Sequence, residues 1–209
     1  MKLVVFGATG GTGLQIVEQA LAAGNSVTAF VRSPEKLRLE HPALVVAQGD
    51  VQAAPAVAQA IAGQDAVISA LGPSRPPTPG MMASAAANIV AGMQTHGVRR
   101  LLFTTGAGVR DPLDRPKLSD RLVKTLLTLL AGEVLRDSEA GVNVIRAADL
   151  DWTIVRFPRL TGGPRTDRFR AGFLGKGSGM QISRADGAAF ILQELAAGQY
   201  IRQAPVVSY

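Results

Sequence analysis

The sequence contains no cysteine, and histidine and aromatic residues are scarce. The absence of cysteine excludes disulfide bonds, thiol nucleophiles and thiolate metal sites. Neither of the two histidines, His41 and His96, follows a predicted strand, so we expect no histidine catalysis and no metal centre. Aromatic residues make up only 5% of the chain, and no recognised nucleic-acid-binding motif occurs. We therefore interpret the net charge of +6 as a match for an anionic cofactor and substrate, and expect no nucleic-acid partner.

Long apolar runs are lacking as well, since none approaches the roughly 18 residues that a membrane span requires. A predicted strand begins by residue 3, which leaves no room for a signal peptide, so we expect a cytoplasmic protein. With 209 residues and a hydrophobic fraction of 47%, the chain can bury the core of one large α/β domain. Its alanine-rich helices fit either a monomer or a weak homodimer.

The first two dozen residues carry the clearest pattern in the chain. An apolar run over 3–6 is typical of a buried strand, and Gly7, Gly10 and Gly13 follow at a spacing of three before a predicted helix over 12–23. A strand, a glycine turn and a helix in this order can cradle a phosphate, because the helix N-terminus offers free N–H groups. The spacing differs from the G-x-G-x-x-G fingerprint of dehydrogenases, so only the mechanism of phosphate binding carries over from that motif. The alternative is a turn that merely packs the helix on the sheet.

The rest of the chain alternates between strand and helix patterns. Predicted strands cover 26–31, 44–47, 66–70, 101–105 and 153–156, and predicted helices cover 55–62, 81–96, 117–131, 133–148 and 186–197, with a short helical piece from Pro34 and a loop over 158–179. This alternation predicts a doubly wound, Rossmann-like parallel sheet over residues 1–209. Residues from about 107 to 185 are expected to contribute a small substrate cap to this single domain.

In such sheets the ligand lies beyond the carboxyl ends of the strands. Arg32 follows the second strand, where an NAD site usually has an acidic residue, and its guanidinium suits the 2′-phosphate of NADPH. Ser33 before Pro34 is also a good N-cap. Asp50 is predicted either to cap the next helix or to bind the adenine amino group.

Residues after the fourth and fifth strands are candidates for the substrate side of the site. The small tip at Ala70 would let the cofactor backbone pass closely, and Arg75 in the following loop either reaches a substrate or is solvated. Hydroxyls of Thr104 or Thr105 lie where a nicotinamide and its acceptor would meet, although threonine is also a good strand former. The predicted cofactor-binding residues are Gly7, Thr9, Gly10, Gly11, Thr12, Gly13, Arg32, Ser33, Asp50, Val51, Ala70, Leu71, Gly72 and Pro158.

Several motifs occur together in one order, namely Gly-Ala-Thr-Gly-Gly-Thr-Gly at 7–13, Val-Thr-Ala-Phe-Val-Arg-Ser at 27–33, Gly-Asp-Val at 49–51, Gly-Gln-Asp-Ala-Val-Ile at 63–68 and Asp-Trp-Thr-Ile-Val-Arg at 151–156. The chain thereby resembles the atypical short-chain dehydrogenase/reductases, the NmrA-like group, and within it the flavin reductases, also called biliverdin reductases B. The resemblance implies an NADPH-dependent reductase of flavins such as FMN, of tetrapyrroles or of quinones. It also implies that Gly7, Gly10, Thr12, Gly13, Arg32, Asp50 and Leu71 hold NADPH.

Two positions depart from the patterns of these families. Typical short-chain dehydrogenases carry Tyr-x-x-x-Lys on the helix after the fifth strand, whereas this chain has Asp120 to Lys124 there and no tyrosine before Tyr200. Flavin reductases also lack that tyrosine, so the departure favours their branch. At the fifth strand they have Thr-Ser where this chain has Thr105-Gly106, so Thr104 or Thr105 would have to replace the serine hydroxyl.

Hydride transfer to a flavin or tetrapyrrole asks little acid–base chemistry of the protein, so the missing tyrosine is compatible with a reductase. An anionic acceptor would still need positive charge. The arginines beside the predicted cap are Arg156, Arg159, Arg165, Arg168 and Arg170, and of these Arg159 and Arg168 are the chosen substrate-binding candidates; a solvated basic loop is the alternative. The rival hypothesis is a non-catalytic NADP(H) sensor. An epimerase is disfavoured, because the chain is short for its substrate domain.

Overall fold

The computed structural model describes residues 1–73, 77–115, 118–175 and 178–209, and within the helix at 118–147 it describes side chains from residue 132 onward. The strands are β1 (Lys2–Phe6), β2 (Ser26–Val31), β3 (Leu44–Gln48), β4 (Ala66–Ser69), β5 (Arg100–Gly106), β6 (Asp151–Phe157), β7 (Arg159–Thr161), β8 (Arg170–Gly172), β9 (Gln181–Ser183) and β10 (Val206–Ser208). The α-helices are α1 (Gly11–Ala22), α2 (Ala54–Ile61), α3 (Met81–His96), α4 (Leu118–Ala147) and α5 (Arg184–Ala197), and a short 3₁₀ helix covers Pro34–Lys36.

The central sheet has the strand order β3-β2-β1-β4-β5-β6-β10-β8. Its neighbours pair in parallel except β8, which is antiparallel to β10. Strands β7 and β9 form a separate parallel pair. The predicted Rossmann-like parallel sheet with helices on both faces is therefore confirmed.

Apolar side chains on the two faces of the sheet form two cores. Leu101 and Phe103 of β5 pack with residues of α2, α3 and α4, whereas Leu102 between them packs with residues of α1 and α5. This alternation follows from the two-residue period of a strand. Because helices cover both faces, β1 and β4 are apolar and buried almost throughout, as expected for central parallel strands.

The structure corrects the predicted second half of the chain. The two helices predicted over 117–131 and 133–148 are one continuous helix, α4, because a single glycine at 132 costs only about 1 kcal/mol and no proline follows it. The loop predicted over 158–179 contains β7 and β8. These strands and β9 and β10 have three residues each, too few to establish a two-residue period in the sequence.

Strand β3 forms one edge of the central sheet. Its Val45 and Val46 are 61% and 43% exposed, on opposite faces of the strand. In the described parts of the chain no helix combines the length and hydropathy needed to cross a bilayer. No group of three or more His, Asp or Glu side chains among the same residues is arranged to hold a metal ion.

Candidate active site

The tips of β1 and β4 meet where the strand order reverses. The chain leaves β1 towards β2 and β3 on one side and continues with β4 on the other, which opens a crevice between the two tips. Gly7, at the end of β1, has a φ of +78°, and a Cβ on it would lie 2.8 Å from the carbonyl oxygen of Ala70. The backbones of the two tips are therefore in contact, and the predicted residues at 7–13 and 70–72 border the same crevice.

The glycine turn between β1 and α1 is closed by backbone hydrogen bonds. The N–H of Gly10 donates to the carbonyl of Gly7 at 3.0 Å, and the N–H of Leu14 donates to the carbonyl of Gly10 at 2.8 Å. A Cβ on Gly13 would lie only 2.1 Å from the carbonyl oxygen of Gly7, so any side chain there would force the turn apart. Gly7 and Gly13 are therefore required by the geometry of the turn itself.

The N-terminus of α1 lacks any capping side chain, and its first turn contains no acidic residue. Thr9, Gly10 and Gly11 are exposed, and the N–H groups of residues 11–13 have no backbone acceptor among the described residues. Free donors at the positive end of a helix dipole suit a pyrophosphate. The glycine turn and this helix start therefore fit the predicted cofactor.

The start of α3 differs from that of α1, because a carboxylate of the protein already occupies it. The N–H groups of Met82 and Ala83 donate to the two oxygens of Asp137 on α4, at 3.0 and 3.2 Å. This carboxylate satisfies the donors that an anion would use. The start of α3 therefore offers an anion no free donors of this kind, whereas the start of α1 does.

Arg32 lies at the tip of β2, which pairs with β1 up to Phe30 opposite Phe6. Its side chain is exposed, and its guanidinium has no acceptor among the residues that the structure describes. The predicted capping role of Ser33 is wrong in part. Pro34 does begin a helix, but it is a 3₁₀ helix of one turn, and the Ser33 side chain makes no capping hydrogen bond to it. Whether Arg32 and Ser33 contact the cofactor stays a prediction.

Asp50 and Val51 follow β3, which pairs with β2, and so lie on the same side of the crevice as Arg32. An oxygen of Asp50 accepts the N–H of Gln52 at 2.8 Å, and α2 begins only after Ala53, so the predicted helix cap at Asp50 is wrong. Val51 packs its side chain into the core, and its carbonyl accepts from Asn88 at 2.9 Å. Asp50 therefore keeps the predicted adenine contact as its remaining candidate role, and Val51 can offer a cofactor only its backbone.

Thr104 and Thr105 end β5 and face opposite sides of the sheet. Thr104 continues the row of Leu102 towards α1 and α5, and Thr105 continues the row of Phe103 towards α3 and α4. Thr104 is 7% exposed and Thr105 is half-buried, and neither hydroxyl has a hydrogen-bond partner among the described residues. Because the two side chains point to opposite faces of the sheet, they do not both face the same bound ring, and their catalytic role stays a prediction.

Arg156 does not belong to the substrate side, contrary to the sequence-based expectation for the cap arginines. It is completely buried in β6, because a residue in the middle of a covered parallel strand points into a core. Its Nε donates to the carbonyl of Ala204 at 2.7 Å, and its Nη1 to that of Val109 at 2.9 Å. Nη1 and Nη2 also donate to the two oxygens of Asp114, each at 2.7 Å. Arg156 thus connects the loop after β5 to β6 and to the segment before β10.

Asp114 receives two further hydrogen bonds, from the N–H groups of Asp111 and Leu174, both at 3.0 Å. Burial by itself would raise the pKa of the Asp114 carboxyl, but the paired Arg156 guanidinium and these N–H donors hold it below its ordinary value. The carboxylate therefore stays charged and joins the loop after β5 to the loop after β8. Asp114 is not among the residues predicted from the sequence.

The exposed cap arginines fall into two groups. Arg165 donates to Asp167 at 2.8 Å and to Gln19 of α1 at 3.2 Å, and Arg170 donates to the carbonyl of Tyr209 at 3.0 Å. Arg159 and Arg168, the two chosen as substrate ligands, are exposed and have no side-chain acceptor in the described parts of the chain. Their role stays a prediction, and the third substrate candidate, Arg75, lies outside the described residues. The same holds for the side chains of Asp120 and Lys124.

Asp186 fixes the cap loop that carries these arginines. One of its oxygens accepts the N–H groups of Thr166 and Asp167 at 2.7 and 2.8 Å, and the other accepts the hydroxyls of Thr166, Ser183 and Tyr209. Burial alone would raise the pKa of the Asp186 carboxyl, but these donors lower it below its ordinary value. Asp186 is not among the predicted residues either, although Ser183-x-x-Asp186 is a capping-box pattern that could have indicated it.

Known proteins are similar to this chain in sequence and in fold. The sequence profile described as NAD(P)H-binding matches residues 7–197. The fold is similar to that of a candidate exported protein of Burkholderia pseudomallei (29% identity, TM-score 0.78, 100% of both chains covered). It is also similar to ChuY, an anaerobilin reductase of Escherichia coli O157:H7 (22%, 0.82, 100% of this chain and 97% of the other). A third similar structure is a short-chain dehydrogenase/reductase of Veillonella parvula in complex with NADP (20%, 0.81, 100% and 94%).

Proposed function

Because the chain belongs to the NAD(P)H-binding family, we propose that it is an NADPH-dependent reductase that passes a hydride to a flavin such as FMN, or to a tetrapyrrole or quinone. Family membership confirms the predicted dinucleotide cofactor and the resemblance to the atypical short-chain dehydrogenase/reductases. The preference for NADPH, the acceptor and the residues that act are the proposed part. The uncapped start of α1 behind the glycine turn is the observation that carries the proposal.

The preference for NADPH is supported by Arg32. Its guanidinium is exposed at the tip of β2, beside the crevice, and lacks an acceptor among the described residues. A planar guanidinium binds a phosphate through two parallel hydrogen bonds, and a 2′-hydroxyl offers no such partner. We therefore expect Arg32 to contribute to the binding of NADPH and not to that of NADH.

The reductase chemistry needs little from the side chains. NADPH supplies the hydride, and in the reduction of FMN by NADPH and a proton to reduced FMN and NADP⁺, water can deliver the proton. Thr104 or Thr105 would orient the reacting rings through an unpaired hydroxyl. Arg159 and Arg168 would attract the phosphate of the acceptor, since both are exposed and without an acceptor among the described residues.

The first experiment follows the oxidation of NADPH with FMN present, in parallel with NADH and with Arg32→Ala. We expect turnover with NADPH, weaker turnover with NADH, and a KM for NADPH that rises about 10- to 100-fold in the variant, the range of one or two charge-assisted hydrogen bonds. Arg136→Ala removes an exposed charge on α4 as the control and should leave the KM unchanged. An equal loss for NADH and NADPH in Arg32→Ala would contradict the 2′-phosphate contact.

The acceptor site has its own test. Charge reversal at Arg159 and Arg168 should raise the KM for FMN and leave the KM for NADPH nearly unchanged, because the two arginines act on the acceptor. The same charge reversal at Arg136 serves as the control for net charge. An unchanged KM for FMN would overturn this part of the proposal.

A second candidate function is a non-catalytic NADP(H) sensor, with which the lack of any tyrosine before Tyr200 is compatible. A sensor would bind the oxidised and the reduced dinucleotide and leave NADPH intact with FMN, a quinone and biliverdin. Tight NADPH binding without turnover in all three assays would favour the sensor function over the reductase function. The cytoplasmic location and the oligomeric state stay predictions in either case.

A further inference from the structure

Arg184, the first residue of α5, lies directly against the glycine turn. A Cβ built on Gly11 would lie 2.9 Å from both Cδ and Nε of Arg184. The side chain can take this position only because residue 11 is a glycine. The contact joins two helix starts that are far apart in sequence, since α1 and α5 pack side by side on the same face of the sheet. Nothing in the local sequence around Arg184 indicates it.

Two helix N-termini lie beside Arg184. Its guanidinium stands at the N-terminus of α5 and beside the N-terminus of α1, and both helix dipoles present their positive ends there. The nearest acidic residue of the first turn, Asp186, already accepts five hydrogen bonds from other groups. Arg184 is half-buried, and no described residue accepts a hydrogen bond from it.

Two kinds of donor for an anion border the glycine turn. They are the free N–H groups of residues 11–13 and the Arg184 guanidinium, which lies against Gly11. In this type of fold the first turn of the helix after β1 receives the pyrophosphate of the dinucleotide, whereas the ribose lies towards the tip of β2.

Resting on the proposed function, we propose that Arg184, seated on Gly11, is a cofactor-positioning residue that binds the pyrophosphate of the dinucleotide. The pyrophosphate is common to NADH and NADPH, so this contact adds affinity for both. It thereby differs from Arg32, which discriminates between them. Arg184 also couples the cap to the cofactor, because the same helix start carries Ser183 and Asp186, which hold the cap loop.

The test measures dissociation constants for NADPH and NADH by titration calorimetry on the full chain. Arg184→Ala should weaken both by the same factor, about 10- to 100-fold, as expected for the loss of charge-assisted hydrogen bonds. Arg184→Lys should recover part of the loss, and Arg136→Ala should change neither constant. Urea unfolding of each variant checks that the fold is retained. A loss confined to NADPH, or no loss, would overturn the proposal.

A second pair of variants tests the seat on Gly11. Gly11→Ala displaces the Arg184 side chain and should weaken both dinucleotides, but in an Arg184→Ala background the same substitution should have much less effect. Equal effects in the two backgrounds would contradict the seating. If the wild type bound neither dinucleotide, the proposed function would fail together with this inference. Wild-type binding that Arg184→Ala leaves unchanged would overturn this inference alone.

Discussion

Replacement of Asp114 by asparagine should destabilise the fold by about 3–5 kcal/mol, because it leaves a buried guanidinium without its counter-charge. Arg156 is completely buried, and two of its nitrogens lie 2.7 Å from the carboxylate of Asp114. The asparagine side chain has nearly the same shape, so no cavity forms. The loss therefore reports the charge pair and its hydrogen bonds.

Urea unfolding measures this loss directly, as a fall in the midpoint at an unchanged slope. In a chain of 209 residues, 3–5 kcal/mol also lowers the thermal midpoint by about 6–20 °C. The double variant Asp114→Leu with Arg156→Met should lose much less than the sum of the two single variants, since it removes both charges together. A loss below about 1 kcal/mol in Asp114→Asn, or strictly additive losses, would refute the reasoning.

The pH dependence supplies an independent check on the same pair. The pKa of Asp114 is lower in the folded than in the unfolded chain, so the pair contributes its full stability above the unfolded value of about 4. This contribution falls as the pH falls through the lower, folded pKa. The difference in stability between the wild type and Asp114→Asn should therefore narrow below about pH 4.

Three further predictions concern the turn, the core and the cap. Gly13→Ala places a Cβ 2.1 Å from the carbonyl oxygen of Gly7. Dinucleotide binding should therefore be lost in calorimetry, and the unfolding free energy should fall by about 1–3 kcal/mol. As the control, Gly162→Ala places its Cβ in open space and should change neither quantity. The Ser69 hydroxyl is buried without a partner among the described residues, so Ser69→Ala should keep or raise the unfolding free energy; a loss above about 1 kcal/mol would reveal a missed hydrogen bond. Asp186→Asn should lower the unfolding free energy by about 3 kcal/mol above pH 5 and speed amide exchange in the cap loop. Unaltered amide exchange would contradict the anchoring role of Asp186.

The first half of the fold could be predicted because each of its elements carries a complete local signal. The strand at 26–31 and the helix at 81–96 were predicted with the observed bounds, since an apolar run or a helical period ends at a glycine or polar residue in each case. The second half offers weaker signals. Its short strands gain stability only from partners distant in sequence, as in the pairing of Val206 with Arg156 and Gly172.

The site divides along the same line. The positions of Gly7, Gly13 and Arg32 beside the crevice could be predicted, because a motif and its neighbouring strand specify where they lie. The prediction for Arg156 is wrong, because a charged residue next to a basic loop is expected at the surface. Its buried partner, Asp114, comes from another part of the chain. The contact of Arg184 with Gly11 could not be predicted, since only the packing of α5 on α1 brings the two residues together.

The edge strand β3 has a consequence for how the protein behaves at high concentration. No described residue pairs with its outer row of peptide groups as a further strand, and the exposed Val45 and Val46 would add apolar contact to a pairing with another molecule. At low ionic strength the net charge of +6 keeps molecules apart, but at 0.15 M salt charges separated by more than about 8 Å hardly repel each other. Self-association should therefore rise with salt, and light scattering of Val45→Lys, which adds a like charge at the edge, should show whether β3 is the contact.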